Sequence, residues 1–246
     1  MGNCLCEDGT TLRAGAHDPL MHTILPAFFQ RLAWVPVRLA MRLRFSLEIK
    51  GVERLTGVRG NFIIASTHAS ELDPLLIVAC LPFFSRHLPL FFASREKDFY
   101  ADLGWRRFFY GATLFKMIGA YPVYAGLDNY RRALRHHLRF IARGHNVCIF
   151  PWGTRSLSGE RPKAKGGVAF LARTTGLPVI PILIQGLEHV TVRDFFSGTR
   201  KVTVTFGNPL YAEDLFVSET SGAGGTERDV CEQAASVLME KIFQQA

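Results

Sequence analysis

Short apolar runs recur along the chain from Ser46 onward, separated by polar segments that carry glycine or proline. The runs have the length and the β-branched and aromatic composition of buried strands. The predicted strands are Ser46–Lys50, Asn61–Ser66, Pro89–Ser94, Tyr121–Val123, Asn146–Phe150, Val179–Ile184 and Lys201–Phe206. Helix-length segments lie between most of them. This alternation predicts an α/β fold, a mostly parallel central sheet flanked by helices, with an N-terminal amphipathic helical region.

Helical spacing marks the segments between the strands. The predicted helices lie near Pro74–Cys80, Trp105–Ile118, Asn129–Arg143 and Lys165–Thr175. A glycine-rich stretch, residues 218–225, precedes a final helix in which Val230, Ala234, Val237 and Leu238 keep core spacing. Residues 1–17 are polar and are expected to be loose. The domain prediction is therefore a loose N-terminus over 1–17, amphipathic membrane-interface helices over 18–45, and one α/β domain over 46–246.

The region from Leu20 to Phe45 is apolar, with aromatic residues and four arginines. At 100° per residue, Arg31, Arg38 and Arg42 fall within about 40° of one another. Prolines inside the region predict two helical pieces rather than one. A basic amphipathic helix of this kind suits a membrane interface. The pattern fits equally well a helix that is packed on the core with its arginines in water.

The net charge of +8 indicates an anionic partner, such as a membrane surface or an anionic substrate. No nucleic-acid-binding signature accompanies that charge, so nucleic acid is not an expected partner. The five cysteines are odd in number, and those at 80 and 148 lie in apolar runs, which favours a reducing compartment over a disulfide framework.

The longest uncharged stretches, residues 19–30 and 74–85, are too short to span a bilayer, and no signal-peptide pattern is visible. We therefore expect a peripheral protein on the cytoplasmic face of a membrane.

The strongest chemical feature follows the second predicted strand, where His68 precedes Asp73 and Pro74. A proline fits the first turn of a helix, so Asp73 is expected at a helix start. A histidine at a strand end with a carboxylate in reach is an arrangement used for general-base catalysis, because the carboxylate fixes the tautomer and stabilises the imidazolium. Taken alone, His-x4-Asp also fits a loop histidine that caps the helix.

Further blocks follow in order: Gly119–Val123, then Phe150–Arg155, then Gly176–Ile184. With His68 and Asp73, these blocks resemble the glycerolipid acyltransferases, the family of lysophosphatidate and glycerol-phosphate acyltransferases. The resemblance covers roughly residues 47–210. It implies an α/β enzyme of phospholipid biosynthesis at a membrane surface, with no cofactor and no metal.

The resemblance implies acyl transfer from acyl-CoA or acyl carrier protein to the free hydroxyl of a lysophospholipid. The first choice of acceptor is 1-acylglycerol-3-phosphate, which gives phosphatidate. His68 is then the general base and Asp73 orients it. The expected acceptor-binding residues are Gly153, Thr154, Arg155 and Lys165, with Arg155 able to grip phosphate oxygens in bidentate fashion. Lys163 and Lys165 can instead be solvated surface lysines.

Two positions depart from the family pattern. Trp152 stands where the family has a glutamate, and Tyr124 stands where a basic residue often follows the second block. The second departure favours an alternative acceptor, another lyso-lipid such as a lyso-ornithine lipid. The first favours a catalytically silent membrane-binding paralogue, against which the pair His68 and Asp73 counts. The adjacent His136 and His137 face different directions on a helix, so they make a poor metal pair. Both are expected on the surface.

Overall fold

The computed structural model describes residues 23–94, 116–124, 129–154, 162–217 and 225–245. In these ranges one sheet has the strand order β1-β7-β6-β2-β5-β3-β4. The strands are β1 (Leu47–Lys50), β2 (Ile63–Ser66), β3 (Leu90–Ser94), β4 (Ala120–Pro122), β5 (Asn146–Ile149), β6 (Val179–Gln185) and β7 (Val202–Phe206). Strands β2 to β6 are mutually parallel, and β1 and β7 run the opposite way. The α/β prediction with a mostly parallel sheet is confirmed.

Helices cover both faces of the sheet. They are α1 (Leu25–Arg44), α2 (Asp73–Cys80), α3 (Tyr130–Ala133), α4 (Arg135–Ala142), α5 (Gly167–Thr175), α6 (Val192–Ser197), α7 (Ala212–Leu215) and α8 (Glu227–Phe243). A 3-10 helix, Val52–Gly57, follows β1. The predicted helix near Trp105–Ile118 and the predicted loose start lie largely outside the described residues. The predicted helices after β2, β4 and β5 and at the C-terminus are confirmed.

Alternate side chains of strands β2 to β6 enter two separate cores. Ile63, Phe91 and Val147 face a core that α4, α5 and α8 complete. Their neighbours Phe62, Phe92 and Cys148 face a second core, which α1 and α2 complete. The predicted spacing of the last helix is confirmed where Ala234 and Leu238 are fully buried. We call the layer with α1, α2 and α6 the α1 layer, and the layer with α3, α4, α5 and α8 the α4 layer.

The N-terminal region forms one helix, so the prediction of two pieces is wrong. Pro26 lies in the first turn of α1, where no amide N–H is needed. Pro36 lies inside α1 and deprives one carbonyl of its partner, at a cost of about 3 kcal/mol. Contacts on both sides of Pro36 hold the helix to the protein. Before it, the side-chain amide of Gln30 donates to the C=O of Leu90 and accepts from the N–H of the same residue.

The middle of α1, on both sides of Pro36, is held by α2 and the residues that directly follow it. Trp34 Nε1 donates to the carbonyl of Leu81 at 2.8 Å, and its ring meets Phe83 edge-on. Arg38 donates to the carbonyl of Ala79 at 2.6 Å, and burial lowers the pKa of its guanidinium. Tertiary contacts thus outweigh the local proline penalty. Within the described ranges, no helix is both long and apolar enough to cross a membrane.

Candidate active site

The strand-to-helix connection after β2 places His68 at the carboxyl edge of the sheet. Thr67 fixes this connection to the neighbouring strand β6: its backbone N–H donates to Ile182 O at 3.2 Å. Its side-chain hydroxyl accepts from the N–H of Ile184 at 2.9 Å and lies 3.3 Å from the carbonyl of the same residue. Because Thr67 is buried between two strands, the position of the next residue, His68, is defined by the sheet.

Asp73, at the start of α2, holds the imidazole of His68. His68 Nδ1 lies 2.8 Å from Asp73 Oδ2. The same oxygen accepts the backbone N–H groups of Ala69 at 2.7 Å and Ser70 at 2.9 Å. A carboxylate oxygen that already accepts two N–H groups can only accept from the ring, so Nδ1 carries the proton and Nε2 keeps its lone pair. Asp73 is fully buried, whereas the His68 side chain is 19% exposed.

The carboxyl end of β5 forms the second side of the site. The ring of Phe150 stacks on the imidazole of His68, with centroids 4.2 Å apart and an interplanar angle of 23°. The chain then turns, with the N–H of Gly153 donating to Phe150 O at 2.9 Å. Gly153 has φ +65°, a conformation that favours glycine. The turn thus begins directly beside the general-base candidate.

Lys165 lies against that turn. Its backbone N–H donates to Pro151 O at 2.8 Å, and a Cβ at Gly153 would lie 3.1 Å from the Lys165 ammonium nitrogen. The absence of a side chain at Gly153 is what allows the lysine to cross the turn. Lys163 is placed differently, because its ammonium pairs with Glu232 of α8 at 2.6 Å. Of the two predicted lysines, only Lys165 therefore lies across the turn beside His68.

The predicted site residues are brought together in part. His68 and Asp73 form one corner, and Gly153 and Lys165 form the next, at the adjacent ends of β2 and β5. Thr154 is half-buried and follows Gly153 in the same turn. Arg155 lies outside the described residues, so its predicted contact with an acceptor phosphate stays a prediction.

Trp152 belongs to the core of the α4 layer. Its indole is 6% exposed and stacks on Phe243 of α8, with ring centroids 5.7 Å apart. An indole in this place ties the β5 turn to the C-terminal helix and brings no charge to the site.

The cysteine of β5 is not a candidate nucleophile. Burial raises the pKa of the Cys148 thiol well above its ordinary value, and the Asp73 carboxylate raises it further. That thiol therefore stays protonated and is no nucleophile.

Sequence reasoning missed Thr67 and Phe150. A threonine and a phenylalanine at strand ends carry no chemical signal, and their roles depend on which strands are neighbours.

The surface prediction for His137 is wrong: it is fully buried, and burial lowers its pKa to about 4. Within the described ranges, no group of three or more histidine, cysteine, aspartate or glutamate side chains is placed to hold a metal ion.

Comparison with known proteins gives one family. The family model described as Acyltransferase matches residues 46–185. The chloroplastic 1-acyl-sn-glycerol-3-phosphate acyltransferase BAT2 of Brassica napus is 26% identical over 182 residues, 71% of this chain and 48% of that protein. A probable 1-acyl-sn-glycerol-3-phosphate acyltransferase of Mycoplasma pneumoniae is 26% identical over 160 residues, 60% of this chain and 56% of that protein. The chain thus spans about half the length of these curated relatives.

A solved structure shares the fold. The crystal structure of the 1-acyl-sn-glycerophosphate acyltransferase PlsC from Thermotoga maritima superposes with a TM-score of 0.55 at 18% sequence identity. The match covers 89% of this chain and 79% of that one. At this identity the likeness establishes the architecture, and the chemistry has to be argued from the site itself.

Proposed function

The chain belongs to the acyltransferase family, and on that premise we propose that it acylates the free hydroxyl of a lysophospholipid. The donor is a thioester, acyl-CoA or acyl carrier protein. The proposed acceptor is 1-acylglycerol-3-phosphate, which the names of the relatives give as their own substrate, and the product is then phosphatidate. The observation that carries the proposal is the 2.8 Å contact between His68 Nδ1 and the buried carboxylate of Asp73.

His68 Nε2 removes the proton from the acceptor hydroxyl as the hydroxyl oxygen attacks the thioester carbonyl. A C–O bond forms, and the tetrahedral intermediate collapses with cleavage of the C–S bond. The imidazolium then returns the proton to the leaving thiolate. Asp73 stabilises the imidazolium, and the two backbone N–H groups on its Oδ2 keep the carboxylate in place. No covalent enzyme intermediate is needed in this scheme.

The acceptor phosphate is proposed to bind at the turn after β5. The backbone of Gly153 and Thr154, the guanidinium of Arg155 and the ammonium of Lys165 are its proposed ligands. Support comes from Lys165, whose charge lies across Gly153 only one turn from the stacked pair Phe150 and His68. A phosphate bound there leaves the glycerol hydroxyl close to the imidazole, because both groups sit at the ends of adjacent strands.

The outer face of α1 is proposed to dock on the cytoplasmic face of a membrane. Large apolar side chains are exposed at positions spaced by three or four, so they line one side of the helix: Ile24, Phe28, Leu32, Val35, Leu39 and Leu43. We call this row the α1 stripe, and it is roughly 28 Å long at 1.5 Å per residue. Arg31 and Arg42 flank it on one side, which suits anionic headgroups. Trp34 and Arg38 do not belong to this surface, because both face the protein.

A second acceptor class is favoured by one position. Tyr124, where the family often has a basic residue, lies with its ring under the guanidinium of Arg135 at 4.1 Å. An acceptor without a glycerol phosphate, such as a lyso-ornithine lipid, needs fewer basic ligands. The silent-paralogue alternative finds no comparable support, since the pair of His68 and Asp73 is intact.

The test is a transfer assay with purified protein, a labelled acyl thioester and a panel of lyso-lipids. We expect acylation of 1-acylglycerol-3-phosphate and its loss in His68→Ala, with the thermal melting curve unchanged. Acylation of lyso-ornithine lipid alone would replace the proposed acceptor. Turnover in His68→Ala at the wild-type rate would remove the proposed mechanism, and no product with any lyso-lipid would favour the silent paralogue.

A further inference from the structure

An arginine row lines the outer side of α3 and α4. Five arginines and no acidic residue occur between positions 129 and 145, and all five are exposed: Arg131, Arg132, Arg135, Arg139 and Arg143. Four of them are spaced by four, so each is turned by about 40° from the last, and the whole set covers about a third of the helix circumference. We call this set the arginine row. It is roughly 18 Å long at 1.5 Å per residue.

Four charges of the row are available to a partner. In the part of the chain that the structure describes, Arg132, Arg135, Arg139 and Arg143 enter no ion pair. Elsewhere in the α4 layer the basic residues Lys163 and Arg228 share Glu232. Like charges along one helix face repel one another, so these four arginines lower stability unless something anionic covers them.

The row begins at the edge of the sheet that carries the site. Strand β4 is parallel to β2, and α3 starts a few residues after β4 ends, at the same edge as His68. Tyr130 then stacks on Phe170 of α5 at 5.4 Å, and a Cβ at Gly166 would lie 2.6 Å from its hydroxyl. Gly166 directly follows Lys165. The upper end of the row therefore adjoins the proposed acceptor corner, and its lower end reaches the opposite edge.

The position of the row separates it from the bilayer. It lies on the α4 layer, and the α1 stripe lies on the α1 layer, with the sheet between them. A membrane that contacts the stripe cannot reach the row, so the row faces the aqueous side. The arginines of the row are all exposed on the outer side of two helices, whereas a nucleotide-bearing donor needs a concave pocket to bury its polar groups. An extended acidic surface of a soluble protein fits both conditions.

We propose that the arginine row docks an acidic carrier protein that brings the acyl thioester to His68. The inference rests on the proposed function, because it names the form of donor that the site takes. Docking at the row sets the carrier beside the carboxyl edge of the sheet, where a tethered acyl group reaches the imidazole. Charge complementarity of this kind acts on the association rate and is weakened by salt.

The experiment compares two donors with the same acyl chain, acyl carrier protein and acyl-CoA. The variant is Arg132→Glu with Arg139→Glu, two exposed positions that leave the Arg135–Tyr124 contact in place. We expect the KM for the carrier-bound donor to rise about tenfold or more and kcat/KM for acyl-CoA to change by less than about twofold. In about 0.5 M salt the wild-type protein should lose most of its advantage over the variant, because the screening length falls to a few ångströms.

The single variant Arg139→Glu is compared with the control variant Arg59→Glu. Arg59 is also an exposed arginine, but it lies at the opposite edge of the sheet. The matched control should leave both donors unaffected. Equal losses with both donors in the row variant, or no loss with either, would overturn the inference, as would a loss of vesicle binding with unchanged donor kinetics. Arg132→Gln with Arg139→Gln replaces the variant if charge reversal prevents folding, which acyl-CoA turnover reports.

The two proposals fail separately. Transfer by the wild-type protein from acyl-CoA but not from the carrier protein refutes the docking inference and leaves the proposed function standing. Transfer from neither donor to any lyso-lipid refutes the proposed function and the inference with it.

Discussion

The two layers of helices around the sheet bury similar apolar cores and present opposite outer surfaces. On the α1 layer the outside is the α1 stripe, and Phe196 of α6 is exposed as well. On the α4 layer the outside is the arginine row. The inner faces of the two layers are alike, since strands β2 to β6 alternate their side chains between them. The difference lies in what each layer leaves uncovered, an apolar surface on one side and a charged one on the other.

The site belongs to neither layer alone. His68 stacks on Phe150, which faces the α1 layer, whereas Lys165 leads into α5 of the α4 layer. A lipid acceptor that arrives along α1 and a donor that arrives along α4 can therefore meet at the carboxyl edge, where ligands bind in open α/β sheets. On the two proposals above, the edge carries the chemistry and each layer brings one substrate to it.

The largest effect is expected where the two layers meet. Asp73→Asn should lower kcat by about 10²- to 10⁴-fold. The amide nitrogen of asparagine is a donor, so the group that it faces, either His68 Nδ1 or the two backbone N–H groups, loses its acceptor. The imidazole can then take the wrong tautomer. The KM values for donor and acceptor should change little. Single-turnover rates give the measurement, with thermal melting to check the fold. A fall in kcat of less than about threefold would contradict the role given to this carboxylate.

The next effect separates the layers directly. Leu32→Gln with Leu39→Gln removes two exposed leucines of the α1 stripe and keeps good helix formers, so binding to anionic vesicles should weaken on the order of a hundredfold. Arg42→Gln should cost about tenfold or less, and its cost should vanish in high salt.

Sedimentation with vesicles measures both variants. The double arginine variant of the row serves as the control and should bind vesicles as the wild type does. Equal weakening by the row variant would mean that both layers touch the membrane, and the comparison between them would then fail.

A smaller effect is expected at the acceptor corner. Arg155→Ala or Lys165→Ala should raise the acceptor KM about tenfold and leave the thioester KM nearly unchanged, because a charged contact to the phosphate is lost. Lys163→Ala is the matched control, since its ammonium is already paired with Glu232. Initial rates with an acceptor that lacks the phosphate complete the test. An equal loss with that acceptor would indicate a structural role for the basic residue.

The central strands β2 and β5 were predictable because a strand buried on both faces is a continuous apolar run, and both are buried at every position. His68 and Asp73 were predictable because one short connection carries both. The partners that fix them were not: Thr67 acts through β6, and Phe150 comes from β5, so both depend on strand order. The continuity of α1 across Pro36 likewise depends on Trp34 and Arg38, on either side of it, whose partners lie far along the chain.

The last and smallest effect concerns the interior of the α4 layer. His137 lies beneath the arginine row, its Nε2 lies 3.4 Å from Phe92 O, and its Nδ1 has no hydrogen-bond partner among the described residues. Burial lowers its pKa from 6.5 to about 4. Between pH 6.5 and pH 4 this imidazole is therefore protonated in the unfolded chain and neutral in the folded protein. The free energy of unfolding should therefore fall as the pH drops from 6.5 to 4, by roughly 3 kcal/mol from this group, and change no further below that.

His137→Phe keeps a ring in the core and removes the titration. We expect a change in stability of about 1 kcal/mol or less at pH 7 and a shallower fall between pH 6.5 and 4. Part of the slope should persist, because burial also lowers the pKa of His87 and His145. His189→Asn, at an exposed position with φ +52° that asparagine tolerates, is the control and should leave the slope as it is. Urea titrations across this pH range decide the matter: an unchanged slope in His137→Phe would mean that the buried imidazole is protonated in the folded protein, and the α4 layer would then hold a charge in its core as well as on its surface.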